Sequence, residues 1–135
     1  MVVHDIIIIT IQLLFFHYFF AETRMDITST QHKHCNVVKV TGRVDSATSP
    51  QLAEAIAHIN DDGKYKIVID FSDLDFISSA GLRVLIAALK NCRRYNRGDL
   101  VLANMPENIY SVFDLAGFTS IFKIYDDVVT AVGSF

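Results

Sequence analysis

The chain has little of what would suggest a covalent or low-complexity architecture. Its two cysteines, Cys35 and Cys92, lie far apart with no Cys-x-x-Cys partner. A disulfide framework is therefore not implied, and two buried or half-buried thiols in a reducing compartment are expected. Two prolines and six glycines exclude collagen-like and linker-like chains. Gly42 and Gly63 stand alone, so neither a P-loop nor a dinucleotide fingerprint is present. All five histidines, His4, His17, His32, His34 and His58, precede Ser79. A hydrolase triad in the order serine, acid, histidine thus has no histidine to finish on, and the segment Ile77–Gly81 lacks the first glycine of G-x-S-x-G. No catalytic residue is assigned.

Strong positive charge is also missing. The formal net charge is -3, and the clustered Lys90, Arg93, Arg94 and Arg97 fall at an expected helix end, where they complement the dipole. Nucleic acid is not an expected partner. His32-Lys33-His34-Cys35 offers three potential metal ligands in four residues. His34 and Cys35 would point to opposite faces of an extended chain, and no remote pair completes four ligands, so no metal and no cofactor are expected.

What remains is a chain of 135 residues, 51% hydrophobic and 20% charged, enough for one domain with one core. Its longest apolar run, Ile6 to Ala21, has three readings. A transmembrane helix needs roughly 20 apolar residues, and this run is shorter and holds Gln12 and His17. A signal peptide wants a positive start and a small-residue cleavage site. Here the first five residues carry Asp5 and no Lys or Arg. The third reading takes Met25 as the natural start, and the completeness of the domain pattern downstream of Met25 favours it. Residues 1–24 are accordingly treated as a hydrophobic extension (an internal start, a signal or an anchor) and 25–135 as the domain. Present in the folded protein as a strand, the run would need cover to avoid association.

From Met25 the pattern alternates strands and helices. Asp26–Thr30 and Asn36–Val44 read as strands, and Gly42 permits a bend before Asp45. Ser49 with Pro50 starts a helix carrying Leu52, Ala55, Ile56 and Ile59 on one face, and Asn60–Gly63 ends it. Lys66–Phe71 is apolar at its centre without alternation, as a strand covered on both faces reads. A short loop over Asp73–Ile77 leads to Ser78-Ser79-Ala80-Gly81 and a helix with Leu82, Leu85, Ile86 and Leu89 inward, stopped by Gly98. A strand over Asp99–Ala103, a helix over Pro106–Ala116 ended by Gly117, a strand over Ser120–Ile124 and a helix over Asp126–Val132 complete the chain. The fold class is α/β: one domain with a mixed, mostly parallel central sheet of about five strands and about four helices.

Asp70 to Leu85 is where chemistry concentrates. Ser79 is expected near a helix cap, where a hydroxyl bonds a free backbone N–H. A phosphate there would face the positive end of the helix dipole and, beside Asp73 and Asp75, would make the patch strongly acidic.

Three stretches, GRVDSATSPQLAEAI (Gly42–Ile56), VIDFSDLDFISSAGLRVLIAALK (Val68–Lys90) and VFDLAGFTSIFKIYDD (Val112–Asp127), resemble STAS domains of the bacterial anti-sigma-factor antagonists in order and spacing. The resemblance spans roughly Met25 to Phe135, and serine-serine-alanine-glycine-leucine after an apolar strand is its most specific part. It implies a cytoplasmic, non-enzymatic partner switch. An anti-sigma factor that is itself a serine kinase phosphorylates the helix-start serine, here Ser79, and a PP2C-type phosphatase resets it. Unphosphorylated antagonist captures the anti-sigma factor and frees the sigma factor. The family's aspartate after the second-strand glycine matches Asp45, so Asp45, Ser46, Ser78, Ser79, Gly81 and Leu82 are the expected partner-binding residues. One departure stands out: the best-known motif has an acidic residue before the phosphoserine, where this chain has Ser78, itself a second candidate for modification. STAS domains also serve in ABC-type lipid or anion transport complexes, the alternative role.

Overall fold

The computed structural model describes residues 7–12 and 25–135. Residues 7–12 are helical rather than extended, and Ile7, Ile8, Ile9 and Ile11 in them are exposed. The remainder of the expectation for 1–24 lies outside the described residues. Among those described, no helix is long and apolar enough to cross a membrane.

Strands β1 (Met25–Gln31) and β2 (Asn36–Val44) form an antiparallel hairpin registered from Met25↔Gly42 to Gln31↔Asn36. Next in the chain come α1 (Ser49–Asp61), β3 (Lys66–Asp70), β4 (Leu74–Ile77), α2 (Ser79–Arg93), β5 (Asp99–Ala103), α3 (Glu107–Leu115), β6 (Ile124–Tyr125) and α4 (Val128–Gly133). The sheet order is β1-β2-β3-β5-β6, with β4 also paired to β2, and every pairing after the hairpin is parallel.

The unbroken apolar run of β3 reflects this topology. Ile67 and Ile69 enter the larger core with Leu52, Ile56, Leu85, Leu89, Ile109 and Phe113, and Val68 enters the smaller one with Val37, Val101 and Ala131. Thus, among the described residues, α1, α2 and α3 cover one face and α4 caps the other. Phe113 anchors the far corner, with ring centroids 5.8 Å from Phe122, 6.1 Å from Phe71 and 6.5 Å from Phe118. Full burial of each such ring is worth about 1.5–3 kcal/mol.

Four local expectations are corrected. The loop expected over Asp73–Ile77 contains β4. Because β3 pairs with β2 only as far as Lys39↔Asp70, the C-terminal part of β2 is left open, and buried Leu74 and Ile77 fill it. A register shift between Gly42 and Arg43 puts Asp75 and Phe76 both outward, which hid the strand's alternation. The strand expected over Ser120–Ile124 shrinks to Ile124–Tyr125, because Phe118–Ser120 coils into a 3-10 turn and draws Phe122 into the core. Thr48, not Ser49, occupies the cap position of α1, and Ser49 is buried. Gly98 does not stop α2. The helix ends at Arg93, and Tyr95 and Asn96 adopt left-handed backbone. Gly98 instead allows close contact, since a Cβ there would lie 2.2 Å from the Tyr65 carbonyl oxygen.

Both cysteines are free and buried, and burial pushes both thiols above the usual 9.0.

Candidate functional site

Pairing of β2 with β4 builds the site. Val44 sits opposite Ile77, and the Ser78 N–H donates to the Val44 carbonyl at 2.8 Å. The turn after β2 and the first turn of α2 therefore meet at the C-terminal edge of the parallel strands, where ligands of open α/β sheets usually bind.

Within α2 the two serines divide the work. Ser78 is the cap: its backbone is extended (φ -90°, ψ 172°) and its Oγ accepts from the Gly81 N–H at 3.4 Å. Ser79, expected near the cap, is instead the first residue of the helix. It is exposed, and its hydroxyl has no hydrogen-bond partner among the described residues. Gly81 is buried; a Cβ there would lie 2.6 Å from Val44 Cγ1 and 2.8 Å from Ile77 Cγ1. This glycine lets α2 begin flush against the sheet end. Leu82 departs from its expected role as a docking contact. At 8% exposure it belongs to the main core, so it fixes the helix from beneath and presents almost nothing to a partner.

Asp45 organises the neighbouring turn. Its Oδ1 accepts from the N–H of Ala47 (2.9 Å) and of Thr48 (3.0 Å), and the Thr48 Oγ1 returns the contact by accepting from the Asp45 N–H at 2.9 Å. The same Thr48 hydroxyl donates to the Arg43 carbonyl at 2.9 Å. These bonds, chiefly that from the Thr48 backbone, hold the Asp45 carboxyl below its usual 3.8, with the Arg43 charge helping. Ser46, at the turn's crest, is exposed.

The acidic surroundings expected for Ser79 are only partly there. Asp73 is ion-paired to Lys39 at 2.8 Å and stands at the other end of β4 from Ser79. Asp75, exposed on β4, and half-buried Asp45 are nearer. Sequence reasoning passed over Arg83, exposed on α2 four residues after Ser79. The i, i+4 period puts the two side chains on one helix face, a signal readable from the sequence once Ser79 is taken as helical. The described histidines lie elsewhere: His32 and His34 in the hairpin turn and His58 in the last turn of α1, all at the opposite end of the sheet. Among the described residues no three His, Cys, Asp or Glu side chains gather to hold a metal ion.

The arrangement presents one unbonded hydroxyl on a rigid helix start, bordered by a turn with fixed backbone. Comparison with known proteins agrees with that geometry. The STAS domain model matches residues 26–131. BtrV of Bordetella bronchiseptica, whose name carries the words anti-sigma factor antagonist, is 38% identical over 94 residues, covering 70% of this chain and 80% of BtrV. The crystal structure of an anti-sigma factor antagonist from Mycobacterium paratuberculosis superposes with a TM-score of 0.75 at 24% identity, over 83% of this chain and 94% of that one. The Bacillus cell fate determinant SpoIIAA, solved in its phosphorylated form, superposes with a TM-score of 0.64 at 16% identity, over 81% and 98% of the two chains. A match across this much of the chain, together with its sheet order and helix placement, decides the classification: the chain belongs to the STAS domain family.

Proposed function

We propose that residues 25–135 act as a cytoplasmic anti-sigma-factor antagonist, a non-enzymatic switch whose phosphoacceptor is Ser79. The partner is an anti-sigma factor that is also a serine kinase, and a PP2C-type phosphatase removes the phosphate. The observation that carries this reading is the split between the serines. Ser78 supplies the cap, so the Ser79 hydroxyl is free for modification without loss of the bond that starts α2. A phosphate there brings about -1.5 to -2 charges to the positive end of the helix dipole, with Arg83 one turn away. The domain tolerates it while the surface offered to the kinase becomes strongly acidic. Asp45, Ser46 and Ser78 form the rim that the unmodified protein offers, and the binding of a kinase that accepts the unmodified rim is reversed by repulsion. The relatives named as antagonists and the phosphorylated state of a fold neighbour support the same reading.

The test is phosphotransfer from the cognate kinase with ATP, followed by peptide mass spectrometry. One phosphate on Ser79, none in Ser79→Ala, and weaker kinase binding by Ser79→Asp are expected. Modification confined to Ser78, or a Ser79→Asp protein that binds as tightly as wild type, would sink the assignment. Co-purification from native cells with an ABC-type ATPase in place of a kinase would move the protein to a transport complex.

A further inference from the structure

At the end of the sheet opposite Ser79, three connections converge: the β1–β2 turn, the α1–β3 loop and the segment between α2 and β5. They border a concavity of about 200 Å³ that is open to solvent. His32, Lys33, His34, Lys64, Lys66 and Arg97 line it, and no Asp or Glu is among the lining residues. That concentration sits in a chain of net charge -3, so charge has been segregated by the fold, not supplied by composition. Asp61 and Asp62, just before Gly63, lie outside the lining, as does Asp99, the strand partner of Lys66, whose carboxylate is taken up by Arg93 and Lys123.

The cations are unemployed. Lys33, Lys64 and Lys66 take part in no ion pair among the described residues, in contrast to Lys39, Arg93 and Lys123. Arg97 is held in place. Its guanidinium stacks 3.8 Å from the Tyr65 ring centroid, and its Nη2 donates to the Asn91 carbonyl (2.6 Å) and Oδ1 (3.0 Å). Its Nε proton is nonetheless buried without an acceptor, an arrangement native proteins seldom leave unresolved. Four positive charges around a small open concavity, one of them (Arg97) held in place, suit a compact oxyanion.

We infer that this cavity binds a small, multiply charged phosphate anion of about the size of pyrophosphate. Volume sets the scale of the part that is held. Some 200 Å³ equals about seven waters at roughly 30 Å³ each and falls below the roughly 300 Å³ at which drug-sized ligand pockets begin. The lysines supply point charges and Arg97 a positioned donor. The His32–Cys35 turn, which does not form a metal site, contributes here as a basic wall. This site is independent of the phosphoacceptor reading, since it lies at the other end of every strand.

The test uses the isotope-labelled full chain, titrated with sodium pyrophosphate and sodium phosphate against sodium chloride at matched ionic strength. Saturable amide shifts are expected at residues 32–36, 63–66 and 97–98, with pyrophosphate binding more tightly than phosphate. Lys33→Ala and Lys66→Ala, both at exposed positions, should each weaken binding about tenfold, as loss of a charge-assisted hydrogen bond implies. Shifts reproduced by chloride, shifts centred on Ser79, or affinity unchanged in both variants would overturn the assignment. So would binding to phosphatidylglycerol vesicles that the lysine variants abolish while pyrophosphate gives no saturable shift, because the anion would then be a lipid headgroup.

Discussion

The two ends of the sheet use their polar groups in opposite ways. At the C-terminal edge the Asp45 carboxylate, the Thr48 hydroxyl and the Ser78 hydroxyl all bond backbone. The exposed hydroxyls of Ser79, on the helix, and Ser46, on the turn, are left over. At the N-terminal edge Gly98 packs against the Tyr65 carbonyl, and Lys33, Lys64 and Lys66 are left without ion pairs among the described residues. The rim proposed to be recognised, with one hydroxyl modified, is held by its own polar side chains. The edge that gathers charge packs closely at Gly98 and leaves its lysines available. On both proposals the groups that would act are ones that folding does not use.

The largest test of that contrast is steric. Gly98→Ala places a methyl 2.2 Å from the Tyr65 oxygen and 2.5 Å from its carbonyl carbon. Neither atom can rotate away, so about 3 kcal/mol of stability should be lost. Gly81→Ala meets only the side chains of Val44 and Ile77, and alanine gains roughly 1 kcal/mol of helix propensity. A net loss of about 1–2 kcal/mol is expected once the overpacking is included. Denaturant titration of both variants gives the ranking. If Gly98→Ala proved the milder change, the N-terminal edge would not be a close-packed frame.

Asp45 sharpens the same comparison through pH. Its carboxyl is held below 3.8 in the folded chain, so its contribution is fully present above about pH 4 and is lost as pH falls through the folded value. Asp45→Asn should melt below wild type by a constant interval from pH 7 down to about 4. The interval should then close as the wild-type carboxyl protonates. A gap that widened on acidification would mean that the charge opposes the turn instead of holding it.

Much of this was legible in the sequence, and the reasons are specific. Ile67, Val68 and Ile69 announced a strand with two covered faces because burial on both sides leaves no polar position. The 3.6 period of Leu52, Ile56 and Ile59 fixed the inward face of α1. Strand β4 was missed because its own extra residue, Asp75, spoils the two-residue alternation, and because a four-residue strand carries too little pattern to outweigh two aspartates. The role of Gly98 was misread because a glycine after a helix looks the same in sequence whether it ends the helix or admits a neighbouring carbonyl. At the candidate site, Ser79 and Asp45 were singled out by resemblance and position. The division of labour with Ser78, the burial of Leu82 and the Lys39 pairing of Asp73 depend on a one-residue helix boundary and on long-range contacts, neither of which periodicity encodes.

That one-residue boundary gives the smallest and most discriminating test. Ser78→Ala removes the oxygen that accepts from the Gly81 N–H. At 3.4 Å the bond is long, so the loss should sit near the bottom of the range for helix caps, about 0.5 kcal/mol. Ser79→Ala removes a hydroxyl with no partner and adds the best helix former at the first helical position, so stability should stay within about 0.5 kcal/mol of wild type or rise slightly. The difference between the two variants is small, so it is best read as paired melting curves collected under one condition. A larger loss from Ser79→Ala than from Ser78→Ala would mean that Ser79 holds the helix. The hydroxyl offered for modification would then be tied to the fold, and phosphorylation would have to break a structural bond to act.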